Sequence, residues 1–322
     1  MKKALIIGIN KYPKDNRLYG CVNDAIEMNH LLEFNEDETH NFDVKTLIDD
    51  EATYSQIKMS IEELYKNNDN LTLLYFSGHG YDNKDDGSIV SVDLKTIMFK
   101  DIMQHISLSK SKYNVIILDC CFSGKLGSDA RIGDKTVLGD NTIILTACRP
   151  TEYAVDDGLT NHGTFTNLLL GALRGGASDI LGRITPGSTY SYIDQALGSW
   201  EQRPYFKANV SSFVSLRNVC PRILMKDLKF GMSLFNKEDS LYLLDPSYED
   251  TNYRGNREHK AIRPYAKQEH IVRMKILQKM NQNGLVIPVD EQFLYFAAMK
   301  TKNIKLTELG RHYWNLCKNG RI

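Results

Sequence analysis

Short apolar runs alternate with amphipathic stretches along the first two thirds of the chain. Runs rich in β-branched or large aliphatic residues predict buried strands, and stretches with apolar residues every three or four positions predict helices. The predicted strands lie at 3–9, 42–48, 71–76, 113–118, 141–146 and 211–216, and the predicted helices at 23–34, 53–65, 96–106, 165–173 and 190–197. Strands interleaved with helices predict an α/β fold with a mainly parallel sheet covered on both faces.

Two of these strands end in turns of small residues that carry reactive side chains. The strand at 71–76 leads into Ser-Gly-His-Gly at 77–80, and the strand at 113–118 leads into Asp-Cys-Cys-Phe-Ser-Gly at 119–124. Such turns meet at the carboxyl edge of a parallel sheet, where α/β proteins place their sites. An imidazole beside a thiol can hold the thiolate and later protonate a leaving amine, so the pattern predicts nucleophilic catalysis.

The last third of the chain differs in pattern and in charge. Residues 219–268 are irregular and rich in charged side chains, which predicts a linker, and helical periodicity returns in a small module at 269–322. The chain has 40 basic and 40 acidic residues, but residues 251–322 hold 14 Lys and Arg against 5 Asp and Glu. This asymmetry predicts a basic module attached to an acidic catalytic domain.

The six cysteines and the apolar runs indicate a cellular location. The cysteines have no metal-ligand spacing, and an adjacent pair at 120–121 suits neither zinc nor an ordinary disulfide, which favours a reduced, cytoplasmic protein. The apolar run at the start is too short for a signal peptide, and no apolar run approaches the length of a membrane span. We therefore expect no membrane partner.

Together the motifs resemble the caspase-like cysteine peptidases, in particular the metacaspase and prokaryotic caspase-like branch. Besides the two turns, the resemblance takes in Gly-Cys-Val-Asn-Asp-Ala at 20–25, Thr-Ala-Cys-Arg-Pro-Thr-Glu at 146–152 and Gly-Thr-Phe-Thr at 163–166. It implies a caspase-like three-layer sandwich with a mainly parallel central sheet over residues 1–218. The helical module at 269–322 resembles a winged helix.

The resemblance assigns roles to the residues of the two turns. It implies that Cys121, immediately before x-Ser-Gly, is the nucleophile and that His79 is the acid and base of a dyad. It also implies that the backbone N–H groups of Gly80 and Cys121 form the oxyanion hole. Periodicity alone does not decide between Cys120 and Cys121, because a strand covered on both faces gives no alternation. We expect Cys120 to be structural.

Two carboxylates indicate the substrate preference. By resemblance, Asp24, Ser77 and Asp119 line the substrate pocket, where the two carboxylates would pair with Arg or Lys and repel an acidic side chain. The alternative is that Asp24 caps the helix at 23–34 and that Asp119 bonds backbone amides. We favour the pocket, and hence cleavage after a basic residue.

Two loops raise further hypotheses. Lys125, Arg131 and Lys135 lie in the Gly-, Asp- and Lys-rich segment after Cys121, where an enzyme with a basic preference could cut itself. The aspartates at 82, 85 and 86 could supply oxygen ligands to calcium. A solvated loop tip explains these aspartates more simply, and no cofactor is expected.

The combined interpretation is a cysteine endopeptidase that cuts proteins after Arg or Lys, acting as a regulated effector in bacterial defence or cell death. We expect the C-terminal module to bind a regulatory protein, and we rank nucleic acid second. Two alternatives come from other classes. One is a catalytically silent caspase-like scaffold, and the other is a DNA-binding regulator with a peptidase-like domain.

Overall fold

The apolar runs of the first 220 residues form a six-stranded sheet. The computed structural model describes residues 1–13, 16–82, 86–121, 126, 128–129, 135–136, 138–147, 163–197, 203–255 and 260–322. They divide into two compact units, Met1–Cys220 and Pro221–Ile322. The strands of the main sheet are β1 (Lys2–Gly8), β2 (Asp43–Ile48), β3 (Leu71–Ser77), β7 (Asn114–Asp119), β10 (Thr142–Thr146) and β12 (Tyr205–Asn209).

Five of these strands are parallel and one edge strand is not. The order across the sheet is β12-β10-β7-β3-β1-β2, and only β12 runs antiparallel to its neighbour. The predicted α/β fold with a mainly parallel sheet is therefore confirmed. The register pairs Ser77, the last residue of β3, with Asp119, the last residue of β7, so both strands end at the same edge.

Helices cover both faces of the sheet, because alternate residues of each strand point to opposite sides. In β1, Ala4 and Ile6 belong to one core cluster with residues of the first, fourth and fifth helices, whereas Leu5 and Ile7 belong to the cluster with the second and third. These helices are α1 (Cys21–Glu33), α2 (Tyr54–Lys66), α3 (Phe99–Leu108), α4 (Thr164–Gly171) and α5 (Pro186–Ala196). The arrangement has three layers.

Smaller elements complete the first unit. A three-stranded antiparallel sheet directly follows β3, and two pairs of two-residue strands lie elsewhere. The strands of these elements are β4 (Gly80–Asp82), β5 (Gly87–Val90), β6 (Thr96–Met98), β8 (Ser128–Asp129), β9 (Lys135–Thr136), β11 (Arg183–Ile184) and β13 (Arg217–Asn218). A π-helical turn, Ala172–Gly176, continues α4, and a short 3-10 helix, Asp49–Glu51, follows β2.

Two predictions of secondary structure in the first unit are wrong. The predicted strand at 211–216 is not a strand, and the antiparallel edge is formed instead by Tyr205–Asn209. That strand escaped prediction because its side chains are mostly exposed, as suits an edge strand, and it lacks an apolar run. The predicted helix at 96–106 begins only at Phe99, because residues 96–98 pair with β5 as β6.

The second unit contains most of the segment expected to be a linker at 219–268. Instead of a linker, it holds α6 (Met225–Ser233), β14 (Tyr242–Leu243) and a 3-10 helix (Pro246–Tyr248), with Leu228, Leu244 and Tyr248 buried. The other elements are α7 (Gln268–Gln282), β15 (Val286–Pro288), α8 (Leu294–Met299), β16 (Asn303–Leu306) and α9 (Glu308–Lys318). Each segment contributes only a few apolar residues to the core. Because charged residues surround them, the sequence shows no clear helical or strand periodicity there.

The second unit is not purely helical. Its strands form an antiparallel sheet in the order β14-β16-β15, with α6 packed against α7 and α9. The winged-helix resemblance of this unit stays a prediction. In the part of the chain that the structure describes, no helix combines the length and apolarity needed to cross a membrane.

Candidate active site

The two reactive turns lie side by side at the carboxyl edge of the main sheet. His79 and Cys121 each come two residues after the paired residues Ser77 and Asp119, so the register brings both residues to the same edge of the sheet. The Gly78 N–H donates to the Asp119 carbonyl across the two strand ends at 3.3 Å. The juxtaposition that the sequence predicted therefore follows from parallel pairing of β3 and β7.

The turns are in direct backbone contact at Gly80. A Cβ added to Gly80 would lie 2.1 Å from the Cys121 carbonyl oxygen, closer than real Cβ atoms come, and 3.2 Å from the Cys121 nitrogen. Only glycine can therefore occupy this position without moving the backbone that carries the thiol. The two residues expected to form the oxyanion hole are thus neighbours in space.

The adjacent cysteines differ in their surroundings. Cys120 is 1% exposed and belongs to the core cluster that contains Leu118 and Ile116, at the alternate positions that face α2 and α3. Cys121 has the opposite parity and is partly exposed. Periodicity therefore does separate the two thiols in the folded chain, and Cys121 is the more accessible of the two.

The imidazole of His79 is held by a main-chain carbonyl. His79 Nε2 lies 2.7 Å from the Asn16 carbonyl oxygen. Because a carbonyl oxygen can only accept, Nε2 carries a proton and donates it, which leaves Nδ1 as the basic nitrogen of the neutral ring. Sequence reasoning missed Asn16, and no residue-type signal could have found it, since only its backbone takes part.

The two expected pocket carboxylates lie together on the α1 and α4 side of the sheet. Asp24 is 1% exposed on α1, and its Oδ2 accepts a hydrogen bond from Ser77 Oγ at 3.0 Å. A Cβ added to Gly163 would lie 3.0 Å from Asp119 Oδ2 and 3.8 Å from Asp24 Oδ2. The structure therefore brings Asp24, Ser77 and Asp119 together, as the resemblance implied.

A chain of hydroxyls orients Asp119. Thr166 Oγ1 donates to Asp119 Oδ2 at 2.7 Å, and the Tyr75 hydroxyl lies 2.7 Å from Thr166 Oγ1. Burial, and then the nearby carboxylates of Asp24 and Asp119, raise the pKa of Tyr75 well above its ordinary value. Tyr75 therefore keeps its proton and donates it to Thr166, whose own proton goes to the carboxylate.

Asp24 is not the N-cap residue of α1. The helix begins at Cys21 and its N-cap is Gly20, and the Val22 N–H in its first turn donates to Asn10 Oδ1 at 3.3 Å. Asp24 lies within the first turn, where its carboxylate also benefits from the positive end of the helix dipole. Its side chain accepts the hydrogen bond from Ser77.

The remaining site hypotheses fall mostly elsewhere. Lys125, Arg131 and Asp85 lie outside the described residues, and Lys135 lies in β9, which pairs with β8. Asp86 Oδ2 accepts from the Lys100 N–H at 3.0 Å, and burial raises the pKa of that carboxyl. Within the described ranges, no group of three or more His, Cys, Asp or Glu side chains could hold a metal ion.

Residues 1–211 match the family described as the caspase domain. Metacaspase-7 of Arabidopsis thaliana is 31% identical over 164 residues, which cover 44% of this chain and 40% of that protein. Metacaspase-1 of Plasmodium falciparum is 32% identical over 148 residues, which cover 38% of this chain and 24% of that protein. The chain thus spans less than half the length of these curated relatives.

Solved structures show the same fold. Caspase-1 of Spodoptera frugiperda superposes with a TM-score of 0.52 and 11% identity, over 68% of this chain and 90% of that chain. A structural-genomics protein from Geobacter sulfurreducens superposes with a TM-score of 0.51 and 19% identity, over 68% and 97% of the two chains. At these identities the likeness concerns the fold alone.

Proposed function

Because the chain belongs to the caspase family of cysteine peptidases, we propose that it is an endopeptidase in which Cys121 attacks the substrate and His79 transfers protons. The register that places both residues two positions after paired strand ends carries this proposal. The partial exposure of Cys121 and the complete burial of Cys120 support the choice of nucleophile.

The proposed reaction needs only groups already at this edge. The Cys121 thiolate attacks the scissile carbonyl carbon, and the oxygen that gains negative charge is stabilised by the N–H groups of Gly80 and Cys121. The imidazolium of His79 gives its Nδ1 proton to the amine as the carbon–nitrogen bond breaks. Water then attacks the thioester while Nδ1 takes its proton, and the acid product leaves with the thiol regenerated.

We further propose that the pocket selects Arg or Lys before the cut. The carboxylates of Asp24 and Asp119 lie against Gly163, and each has its Oδ2 held by a hydroxyl donor. A cation entering this pocket exchanges water for charge-assisted hydrogen bonds, whereas an acidic side chain would meet two like charges. Such bonds contribute roughly 1.5–3 kcal/mol each, enough for at least about tenfold discrimination against a neutral isostere.

A panel of fluorogenic peptides tests both parts of the proposal. The full chain is incubated with peptides that differ only in the residue before the cut, namely Arg, Lys, norleucine, Gln and Asp, with calcium or with a chelator. Turnover of the Arg and Lys peptides, with the Asp peptide uncut, supports the proposal. Cleavage after Asp would overturn the pocket assignment, and no cleavage of any peptide would contradict the activity.

Self-cleavage is part of this proposal, and no dependence on calcium is expected. The basic residues at 125, 131 and 135 follow the nucleophile closely in the chain, so a preference for basic residues would allow a cut there. Mass spectrometry should then find a cut in the wild type that is absent from Cys121→Ala protein. The chelator arm of the panel decides whether calcium is needed.

The biological role is proposed by analogy with the family alone. We propose a regulated effector in bacterial defence or cell death, with the second unit recruiting a regulatory protein. Three aromatic side chains of that unit, Phe293, Tyr295 and Phe296, are 40–54% exposed and contact one another, as protein-docking surfaces often do.

A further inference from the structure

Tyr12 is the buried side chain that lies against the imidazole of His79. It follows β1, is 1% exposed, and its ring centroid lies 4.5 Å from that of His79 at an interplanar angle of 53°. An aromatic residue shortly after a strand is typical of a core position, so residue type alone gives no sign that Tyr12 contacts a site. Its hydroxyl, however, faces the turn that carries His79.

The Tyr12 hydroxyl fixes the backbone of that turn. It accepts the His79 N–H at 3.0 Å and donates to the Val90 carbonyl at 2.9 Å. The Val90 N–H in turn donates to the His79 carbonyl at 3.0 Å. Both polar backbone groups of His79 are therefore held, one by Tyr12 and the other by the residue that Tyr12 binds.

The turn has a space that fits this hydroxyl. A Cβ added to Gly78 would lie 2.6 Å from the Tyr12 oxygen. The Tyr12 hydroxyl and the edge of the Phe76 ring, which would lie 2.8 Å from the same Cβ, together occupy the volume that a side chain at Gly78 would need. Burial raises the pKa of Tyr12 well above its ordinary value, so the proton donated to Val90 is retained.

Tyr12 also belongs to the segment that supplies the other contact of His79. Residues 9–19 lead from β1 to α1, and their Asn16 carbonyl accepts from His79 Nε2 at 2.7 Å. The Ile9 N–H donates to the Ser77 carbonyl at 3.1 Å, which joins the start of this segment to the end of β3. Tyr12 lies between these two contacts in the chain.

We propose that Tyr12 is a positioning residue for His79. Its hydroxyl sets the backbone and its ring sets the plane of the imidazole, so that Nε2 donates to Asn16 and Nδ1 stays available for proton exchange with Cys121. This inference rests on the proposed peptidase function for its kinetic consequence, but its geometric consequence, the tautomer of His79, can be measured without a substrate.

The test compares Tyr12→Phe with a matched control, Tyr65→Phe. Tyr65 is 4% exposed in the same core cluster, and its hydroxyl has no hydrogen-bond partner among the described residues. Removing the Tyr12 hydroxyl should lower kcat about tenfold to a hundredfold with KM within about twofold of the control. Nitrogen-15 spectra of the imidazole should show the Nε2-protonated tautomer in the wild type and the control, and a mixture in Tyr12→Phe.

A second variant reaches the same hydroxyl from the other side. Gly78→Ala should displace the Tyr12 hydroxyl and reproduce the tautomer mixture, so the inference stays testable if Tyr12→Phe does not fold. Tyr12→Phe protein with kcat and tautomer equal to those of Tyr65→Phe would overturn the inference. If the wild type has no peptidase activity, the proposed function fails and the tautomer spectra alone decide the role of Tyr12.

Discussion

Two clusters in the described residues, one in each unit, combine a histidine with a hydroxyl or thiol and a carboxylate. In the first, His79 and Cys121 each follow by two residues the paired strand ends Ser77 and Asp119. In the second, Ser247 Oγ contacts both Asp245 Oδ1 and His270 Nδ1. By residue type the second cluster looks like a serine hydrolase triad more than the first does.

The direction of the hydrogen bonds separates the two clusters. Ser247 has one hydroxyl proton and donates it in a hydrogen bond to Asp245 Oδ1. Asp245 Oδ1 also accepts a hydrogen bond from the Ser247 N–H at 2.8 Å. His270 Nδ1 must then donate to Ser247, which is the reverse of what a catalytic base does. Ser247 is also 0% exposed, and Tyr248 stacks on His270 at 4.3 Å.

Solvent exposure and the direction of the hydrogen bonds, not residue types, distinguish a candidate site from a structural network. In the second cluster Asp245 is the N-cap of the short helix Pro246–Tyr248, and the network joins that helix to α7. In the first cluster His79 Nε2 donates a hydrogen bond to a main-chain carbonyl, which leaves Nδ1 of the neutral ring as an acceptor. Substitutions in the two clusters should therefore have opposite consequences.

The largest expected effect is the loss of activity in Cys121→Ala and His79→Ala. Each removes a group that the proposed reaction cannot replace, so peptidase activity should disappear while the thermal midpoint changes little. Cys120→Ala, one residue away in the core, should keep most activity and lose about 1 kcal/mol of stability. Steady-state kinetics with thermal melts measure both, and loss of activity only in Cys120→Ala would move the nucleophile by one residue.

Ser247→Ala should show the opposite behaviour. It leaves Asp245 and His270 without their shared partner, which should cost about 1–3 kcal/mol in the second unit. Peptide cleavage should remain unchanged. Hydrogen exchange of the α7 amides, measured together with cleavage rates, shows whether stability is lost in the second unit. A drop in activity without faster exchange would instead indicate a chemical role for the second cluster.

Gly80→Ala tests the backbone contact between the reactive turns. The added Cβ would lie 2.1 Å from the Cys121 carbonyl oxygen, so the two turns must separate and activity should fall at least about a hundredfold. Gly139→Ala is the control, because its Cβ would meet nothing closer than Thr142 Oγ1 at 3.9 Å. Equal activity in the two variants would show that the contact is not needed.

Neutralising the pocket should change selectivity more than stability. Asp24→Asn and Asp119→Asn should each lower kcat/KM for Arg and Lys peptides by about tenfold, because one charge-assisted bond is lost. The neutral norleucine peptide should be affected less. The measurement is the ratio of kcat/KM for the Arg peptide to kcat/KM for the norleucine peptide. A ratio equal to that of the wild type would contradict the assignment of these carboxylates to the pocket.

The smallest expected effect concerns a buried lysine near the nucleophile's turn. Lys207 is 7% exposed and donates to the Leu126 carbonyl at 2.7 Å, and burial lowers its pKa to about 8 from the usual 10.5. Between these values the unfolded chain binds the proton and the folded protein does not, so the folded state gains stability as pH rises. Relative to Lys207→Met, the wild type should therefore become more stable between about pH 8 and about pH 10. Urea titrations at both pH values check this. If the free energy of unfolding of the wild type, relative to that of Lys207→Met, falls as pH rises, the prediction is contradicted.

The sequence was sufficient for five of the six strands of the main sheet and for the edge at which the candidate site lies, because long apolar runs that are buried on both faces leave little choice of element. The carboxyl ends of β3 and β7 then follow from parallel pairing. The sequence was insufficient to predict the elements where side chains are mostly exposed, as in the edge strand Tyr205–Asn209. It was also insufficient where apolar residues are sparse, as in 219–268. Tyr12 and Asn16 were missed because a hydroxyl and a carbonyl act there, and neither leaves a pattern.

Covalent labelling of the full chain tests the central claim most directly. Two peptide chloromethyl ketones, identical except for Arg or Asp at the reactive end, are incubated separately with the wild type and with His79→Ala, and the adduct is mapped by tandem mass spectrometry. We expect the Arg reagent to label Cys121 in the wild type, with little labelling in His79→Ala and little by the Asp reagent. Labelling of Cys120 instead, or equal labelling by both reagents, would contradict the account.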